Sequence, residues 1–237
     1  MAAQPEIGGR LRAVDGTVEF DQSGADGDLF DRTAKRVVDI LLAGVLLVLL
    51  SPVMLAITIV IRVTSPGPPL FRQVRVGHRM STFVMLKFRT MHHDIDDGIH
   101  RAYVTAMLAG RPVAADPDRG IYKLTGDPRV TRIGRFLRKT SLDELPQLIN
   151  VLRGEMSLVG PRPVLPYEAE LFEARHRTRF SVKPGITGLW QVSGRSVLTM
   201  QQALDLDVEY ASRRNLALDF ATLLRTMPAV LRSRDAC

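Results

Sequence analysis

The stretch 35-KRVVDILLAGVLLVLLSPVMLAITIVIR-62 decides the architecture. From Ile40 to Ile61 it carries no charged side chain. As one helix that run is about 33 Å long at ~1.5 Å per residue, enough to cross a hydrocarbon core of about 30 Å. Length alone reads as a transmembrane span, but two features point elsewhere. Ser51-Pro52 lies at the centre. A proline there removes a backbone hydrogen bond, crowds the preceding turn and kinks the helix, and the Ser51 hydroxyl can bond a freed carbonyl one turn back. Charge is the second feature. Lys35 and Arg36 precede the run, and Arg62, Arg72, Arg75, Arg79, Lys87 and Arg89 follow it. Positive residues mark the cytoplasmic side of a membrane, and here both flanks are positive. A helix broken at Ser51-Pro52 that returns to its starting face satisfies both flanks, so a re-entrant helix over about 34–64 is the favoured reading. A kinked spanning helix is the alternative, because membrane helices tolerate proline.

Before this run, residues 1–30 are polar, Gly-rich and partly acidic, without long apolar periodicity. They read as a disordered tail. They do not read as a signal peptide, since the apolar run starts late and no small-residue cleavage site follows it. Across all 237 residues, 32 Lys and Arg face 25 Asp and Glu, a net charge of +7. That balance suits nucleic acid, anionic lipid or phosphorylated small molecules. Aromatic residues are only 6% of the chain and form no base-stacking platform, which ranks nucleic acid low. The single cysteine, Cys237, excludes a disulfide framework and a thiolate metal site, in keeping with a reducing cytoplasmic face.

After the run, Pro66, Gly67, Pro68 and Pro69 force a turn or extended linker. The alternating segments 69-PLFRQVRVG-77 and 82-TFVMLKFRTM-91 predict a short β-hairpin around Gly77-His78. Lys87 and Arg89, bracketed by apolar residues, are candidates for a phosphate site, while the adjacent His92 and His93 read as surface. An amphipathic helix is expected over about 96–109, with no chemistry assigned to it.

The segment 127-DPRVTRIGRFLRKTSLDELPQLINVLRGEMSLVGPRP-163 sets Asp143 beside Glu144 in a neighbourhood crowded with arginine. One reading is structural: Ser141 caps a helix, Glu144 completes a capping box, and both acids favour the helix dipole. The other is chemical. Arg138 and Lys139 precede the pair, and Arg153 and Arg162 follow it. A carboxylate can accept a phosphoryl group as a nucleophile. Phosphoryl transfer needs Mg²⁺ plus Arg or Lys to neutralise spreading charge, and magnesium is typically held by one or two carboxylates plus substrate oxygens. One acid can attack while its neighbour holds the metal, with the arginines keeping both ionised and clamping phosphates. Further on, 179-RFSVKPGITGLWQVSGR-195 is turn-rich. It suits a wall for a nucleotide or sugar, with Lys183 or Arg195 near phosphate and Trp190 in an interface or packing role. The last third reads as one or two amphipathic helices. Asp207 and Tyr210 can face the site from the first, and Leu216 to Leu231 can rest on a membrane surface.

The motifs "KRVVD", the central "SP", "LKFRTM", "TSLDELPQLINVLRGEMSLVGPRP", "VKPGITGLWQVSGR" and "LDVEY" resemble the bacterial sugar transferase family over roughly residues 32–232. These are monotopic polyprenyl-phosphate phosphoglycosyl transferases. The resemblance implies a predominantly α fold with a small β-hairpin (α+β). After the disordered tail to residue 30 it implies a membrane-anchored transferase domain over 31–232 whose catalytic part spans about 65–232. It implies transfer of sugar 1-phosphate from a UDP-sugar to polyprenyl (undecaprenyl) phosphate, releasing UMP and initiating exopolysaccharide, O-antigen or capsule assembly at the cytoplasmic face of the bacterial inner membrane. By position, Asp143 is the nucleophile that forms an aspartyl-phosphosugar intermediate, and Glu144 the Mg²⁺ ligand. Arg162 binds phosphate with support from Lys87 and Arg138, Asp207 is a further polar residue of the substrate phosphate site, and Ser51-Pro52 is the helix break. A homodimer is left open. Two other readings fit the residues: a UDP-sugar pyrophosphatase with water as acceptor, and a non-catalytic membrane-anchored scaffold. The segment 92–121 exceeds what the smallest members carry, and its role is left open.

Overall fold

The computed structural model of the chain describes residues 13–14, 17–18, 25–92, 105, 129–194 and 198–232. The helix expected over about 96–109 and residue His93 lie almost wholly outside the described residues. Strands β1 (Ala13–Val14) and β2 (Thr17–Val18) form a two-residue antiparallel pair. Helix α1 (Ala25–Thr64) begins within the stretch read as tail and continues through Pro52. Pro52 has no N–H for the carbonyl of Val48, four residues back. That carbonyl is served by the Ser51 hydroxyl at 2.8 Å, as the sequence predicted. The segment Arg32–Thr64 is apolar enough to cross a membrane, with a mean hydropathy of 2.8 in its most apolar window and only 11% of that window buried. A core helix of a soluble domain would be mostly covered. Here Val45, Leu46, Val48, Leu49, Val53 and Leu55 are all exposed.

Both ends of α1 grip the rest of the chain. Near its start, Arg36 donates to the carbonyls of Val151 and Leu152, and Asp39 accepts from the Ser157 hydroxyl and the Leu158 amide. Near its end, Ile57 and Ile61 pack with Phe88 and Leu137. Just beyond it, the buried Arg89 donates to the carbonyls of Ser65 and Pro66.

The predicted hairpin forms as β3 (Leu70–Val76) and β4 (Thr82–Phe88), antiparallel, with Leu70 opposite Phe88 and Val76 opposite Thr82. Helix α2 (Arg132–Thr140) is capped by Thr131, whose hydroxyl accepts from the Gly134 amide. A Cβ on Gly134 would lie 2.0 Å from the Thr90 carbonyl oxygen, so only glycine lets α2 sit against the end of β4. Helix α3 (Gln147–Arg153) docks on the outer edge of β4 through the fully buried Asn150. Its Oδ1 accepts from the Leu86 amide at 3.0 Å, and its Nδ2 donates to the Val84 carbonyl at 2.8 Å. One side chain thereby occupies edge groups that would otherwise stay unpaired.

Two short parallel strands, β5 (Ser157–Val159) and β6 (Gly185–Thr187), carry the segments that follow them. Helices α4 (Pro166–Glu170), α5 (Leu189–Val192), α6 (Met200–Arg213) and α7 (Leu216–Arg232) complete the described chain. Val76, Val164, Phe172, Phe180, Trp190 and Leu204 form one core, which assigns Trp190 to packing. The described molecule is thus mostly helical with small sheets and one long apolar helix.

Candidate active site

Ser141 ends α2 in the left-handed conformation, with φ of 56°. A single 3₁₀ turn, Leu142–Glu144, follows, and α3 begins only after Pro146. The capping box considered from sequence therefore does not form: Ser141 makes no side-chain capping bond, and Glu144 precedes α3 instead of entering its first turn. The tight turn turns both acids inward. Asp143 is 9% exposed. Leu142 and Leu145, on either side of the pair, pack against the cluster that holds Ile57 and Ile61 of α1. The acids thus sit at the foot of the apolar helix.

Glu144 meets Lys87 and Arg162: its Oε1 lies 2.9 Å from Lys87 Nζ and 3.6 Å from an Arg162 guanidinium nitrogen. Lys87 comes from β4, next to Leu86, whose amide donates to Asn150. Arg138, from α2, donates to the Thr90 hydroxyl at 2.9 Å, and its charge acts on Asp143. Three of the predicted cations, from three separate elements, thus surround the acid pair.

Burial acts against the cations that the sequence places around the acids. Burial pushes the Asp143 carboxyl above the usual carboxylate range; Lys87 opposes this most strongly, and the charge of Glu144 adds to the rise. Burial likewise lowers the Lys87 ammonium, against the pull of Glu144. For both groups desolvation outweighs the neighbouring charges, and burial is not visible in a linear sequence.

Arg162 follows β5. Its segment is pinned against β6 by amide bonds from Gly160 to the Thr187 carbonyl and from Gly185 to the Pro161 carbonyl, both 2.9 Å. A Cβ on Gly160 would lie 2.4 Å from the Lys183 carbonyl oxygen, which is the physical reason for glycine there. Asp207 on α6 is 2% exposed and lies behind this segment. It pairs with Arg179 at 2.6 Å, and burial pushes its carboxyl up to about 6 despite that cation. Tyr210 is turned away from the acid pair, donating to Asp219 and to the Val159 carbonyl. Arg89 serves the linker after α1, and Arg195 lies outside the described residues. Sequence reasoning passed over Asn150, Arg179 and Asp219. Each acts through a partner far along the chain and stands in no periodic pattern that would have marked it.

Among the described residues no three His, Cys, Asp or Glu side chains converge as a metal cluster. A magnesium ion that takes one or two carboxylates and completes its shell with phosphate oxygens and water needs no such cluster. Asp143 and Glu144, adjacent to each other, are carboxylates that fit such an ion.

A family model described as bacterial sugar transferase matches residues 30–233. The chain is 41% identical over 203 residues to the exopolysaccharide production protein ExoY of Rhizobium meliloti, covering 86% of this chain and 88% of that one. It is 41% identical over 210 residues to the UDP-glucose:undecaprenyl-phosphate glucose-1-phosphate transferase of Caulobacter vibrioides, covering 85% and 71%. It is 40% identical over 206 residues to the undecaprenyl-phosphate galactose phosphotransferase of Salmonella typhimurium, covering 86% of this chain and 42% of that longer protein. With its acid pair set among three cations beneath an apolar helix, the chain belongs to the bacterial sugar transferase family and is a transferase enzyme.

Proposed function

We propose that the enzyme moves sugar 1-phosphate from a UDP-sugar onto polyprenyl phosphate, releasing UMP and leaving a polyprenyl diphosphosugar. The observation that carries this reading is the pair of buried Asp143 and half-buried Glu144, with Lys87 and Arg162 on Glu144, at the foot of an exposed apolar helix. An Asp143 oxygen attacks the phosphorus bonded to the sugar. The bond from that phosphorus to the bridging oxygen breaks, and UMP leaves with the electron pair. An oxygen of polyprenyl phosphate then attacks the same phosphorus, and Asp143 departs as a carboxylate. Arg162, Lys87 and Arg138 lower the cost of bringing a diphosphate against two acids. When bound, magnesium supplies further charge neutralisation on the phosphate oxygens, with Glu144 as its protein ligand beside Asp143.

The re-entrant path of α1 is part of this proposal. As a straight helix, the rise from Arg36 to Ser65 is about 43 Å at ~1.5 Å per residue. Yet Arg36 is tied to Val151 and Ser65 to Arg89. Asn150, next to Val151, is bonded to Leu86, and Leu86 to Arg89 is only roughly 10 Å of strand. A bend at Ser51-Pro52 brings the two ends back to one body and leaves the catalytic part on the cytoplasmic face of the inner membrane. Cysteines at Thr33 and Thr64, probed with a membrane-impermeant reagent in sealed vesicles, are expected to label from the same side; labelling from opposite sides contradicts the bend. Phe220, Leu224 and Met227 stand exposed along one side of α7, a stripe suited to the lipid interface.

The sugar and acceptor are tested with a panel of UDP-sugars, measuring UMP release with and without undecaprenyl phosphate. Lipid-dependent turnover of one or a few sugars is expected. Steady hydrolysis without lipid indicates water as the acceptor, and no loss of any UDP-sugar indicates that the acid pair has no catalytic part.

A further inference from the structure

Arg179 is 3% exposed, although it lies in a basic stretch whose Arg175 and Arg177 are exposed. One of its terminal nitrogens donates to two oxygens at once: Asp207 Oδ2 at 2.6 Å and the backbone carbonyl of Arg162 at 2.7 Å. Its Nε and its other terminal nitrogen are buried without a hydrogen-bond partner. They lie among the Phe172 and Phe180 rings, whose centroids are 5.2 and 5.6 Å from the guanidinium carbon. Burying an ion pair in this way is costly, and packed apolar residues of similar volume often serve stability as well or better. Stability alone is therefore a poor reason for the pair. Its other contact is specific, because the bonded carbonyl belongs to the residue whose guanidinium reaches Glu144 at 3.6 Å.

We infer that Arg179, locked by Asp207, is a positioning residue for sugar-phosphate transfer: it fixes the backbone of Arg162 so that the Arg162 guanidinium stands over the acid pair. Asp207 then acts through Arg179, not as a ligand of substrate phosphate. This rests on the proposed role of Arg162 as a phosphate ligand. A displacement of about 1 Å at such a group can cost on the order of 100-fold in rate, so a carbonyl contact one residue removed from chemistry is enough to matter.

The test is a double-mutant cycle on the full chain in detergent, scored as kcat/KM for UMP release with undecaprenyl phosphate, alongside thermal melts. Arg162→Ala and Arg179→Met are each expected to lower kcat/KM, the latter by about 10- to 100-fold. Because Arg179 acts through Arg162, adding Arg179→Met to Arg162→Ala is expected to cost nothing more. Losses that multiply overturn the inference, since they give Arg179 an independent role. The variant Arg179→Met with Asp207→Leu guards against misfolding: it is expected to melt at or above the wild-type temperature while staying impaired. Full activity in that variant overturns the inference and leaves the pair a purely structural role. A wild-type rate in Arg162→Ala alone removes the premise about Arg162, an outcome distinct from multiplying losses.

Discussion

Two buried polar clusters flank the apolar helix, and they are built on opposite lines. At the start of α1, Lys35 donates to Asp219 at 2.5 Å and to the Val159 carbonyl at 3.2 Å, and Tyr210 donates to the other Asp219 oxygen at 2.6 Å. Every charged or polar head group there faces a partner of the opposite kind. Burial and the Asp219 charge raise the Tyr210 hydroxyl, keeping it a neutral donor. Near the end of α1, the cluster at Asp143 is mismatched. Two acids stand side by side, burial raises one of them, and Lys87 and Arg162 converge on a single Glu144 oxygen. A satisfied network fixes a fold. Perturbed ionisation alone does not separate the two, since Tyr210 is raised as well; what sets the second apart is a pair of adjacent acids beside converging cations. Under the proposed function, the first cluster is structural and the second holds the chemistry.

The largest contrast comes from Asp143→Asn. It is expected to lower transfer by at least about 1,000-fold, roughly 4 kcal/mol of transition-state stabilisation, while thermal stability holds or rises, because a buried acid has been replaced by a neutral amide. Near wild-type turnover would break the comparison. Lys35→Met is the mirror case. It strands the Asp219 carboxylate and should cost about 3 kcal/mol of stability, seen as a lower melting temperature, with the folded fraction retaining most of its kcat.

A third test uses pH. The Asp207 carboxyl titrates at about 6 in the folded chain against an ordinary value of 3.8. Its folded value is raised, so its contribution to stability is fully present below about 4 and is lost as pH rises through 6. The stability difference between wild type and Asp207→Asn should therefore change between pH 4 and 6 and stay level above 7. A flat difference across that window contradicts the burial argument. Asp143 is raised as well, so the transfer rate should fall on acidification before an ordinary aspartate would protonate. The smallest effect belongs to Ser51→Ala, which leaves the Val48 carbonyl without its substitute donor and should cost about 1 kcal/mol or less in melts of the detergent-solubilised enzyme.

How much of this was legible beforehand follows from the range of the interactions. The charge-free run, the Ser51 hydroxyl bond and the hairpin at Gly77 rest on local chemistry, and all three were readable. The place of Arg138 and Arg162 near the acid pair was readable only as cations close to a motif, and that of Lys87 only through the family resemblance. The capping box was a sound local reading that lost to tertiary structure: the left-handed turn at Ser141 and the contacts of Glu144 with β4 and Arg162 pull it out of helical register. The raised ionisation of Asp143 was not readable, because desolvation depends on what folds over a residue. Nor was Arg179, whose two acceptors lie 17 and 28 residues away.

Incubating the purified enzyme with a UDP-sugar labelled in the sugar, in the absence of any lipid acceptor, tests the central claim most directly. Quenching and mapping peptides by mass spectrometry should find the labelled sugar phosphate on Asp143, with one equivalent of UMP released and the label discharged when undecaprenyl phosphate is added. Protein that stays unlabelled, yet transfers sugar phosphate as soon as lipid is supplied, would mean that the lipid phosphate attacks the UDP-sugar directly and that Asp143 is not the nucleophile.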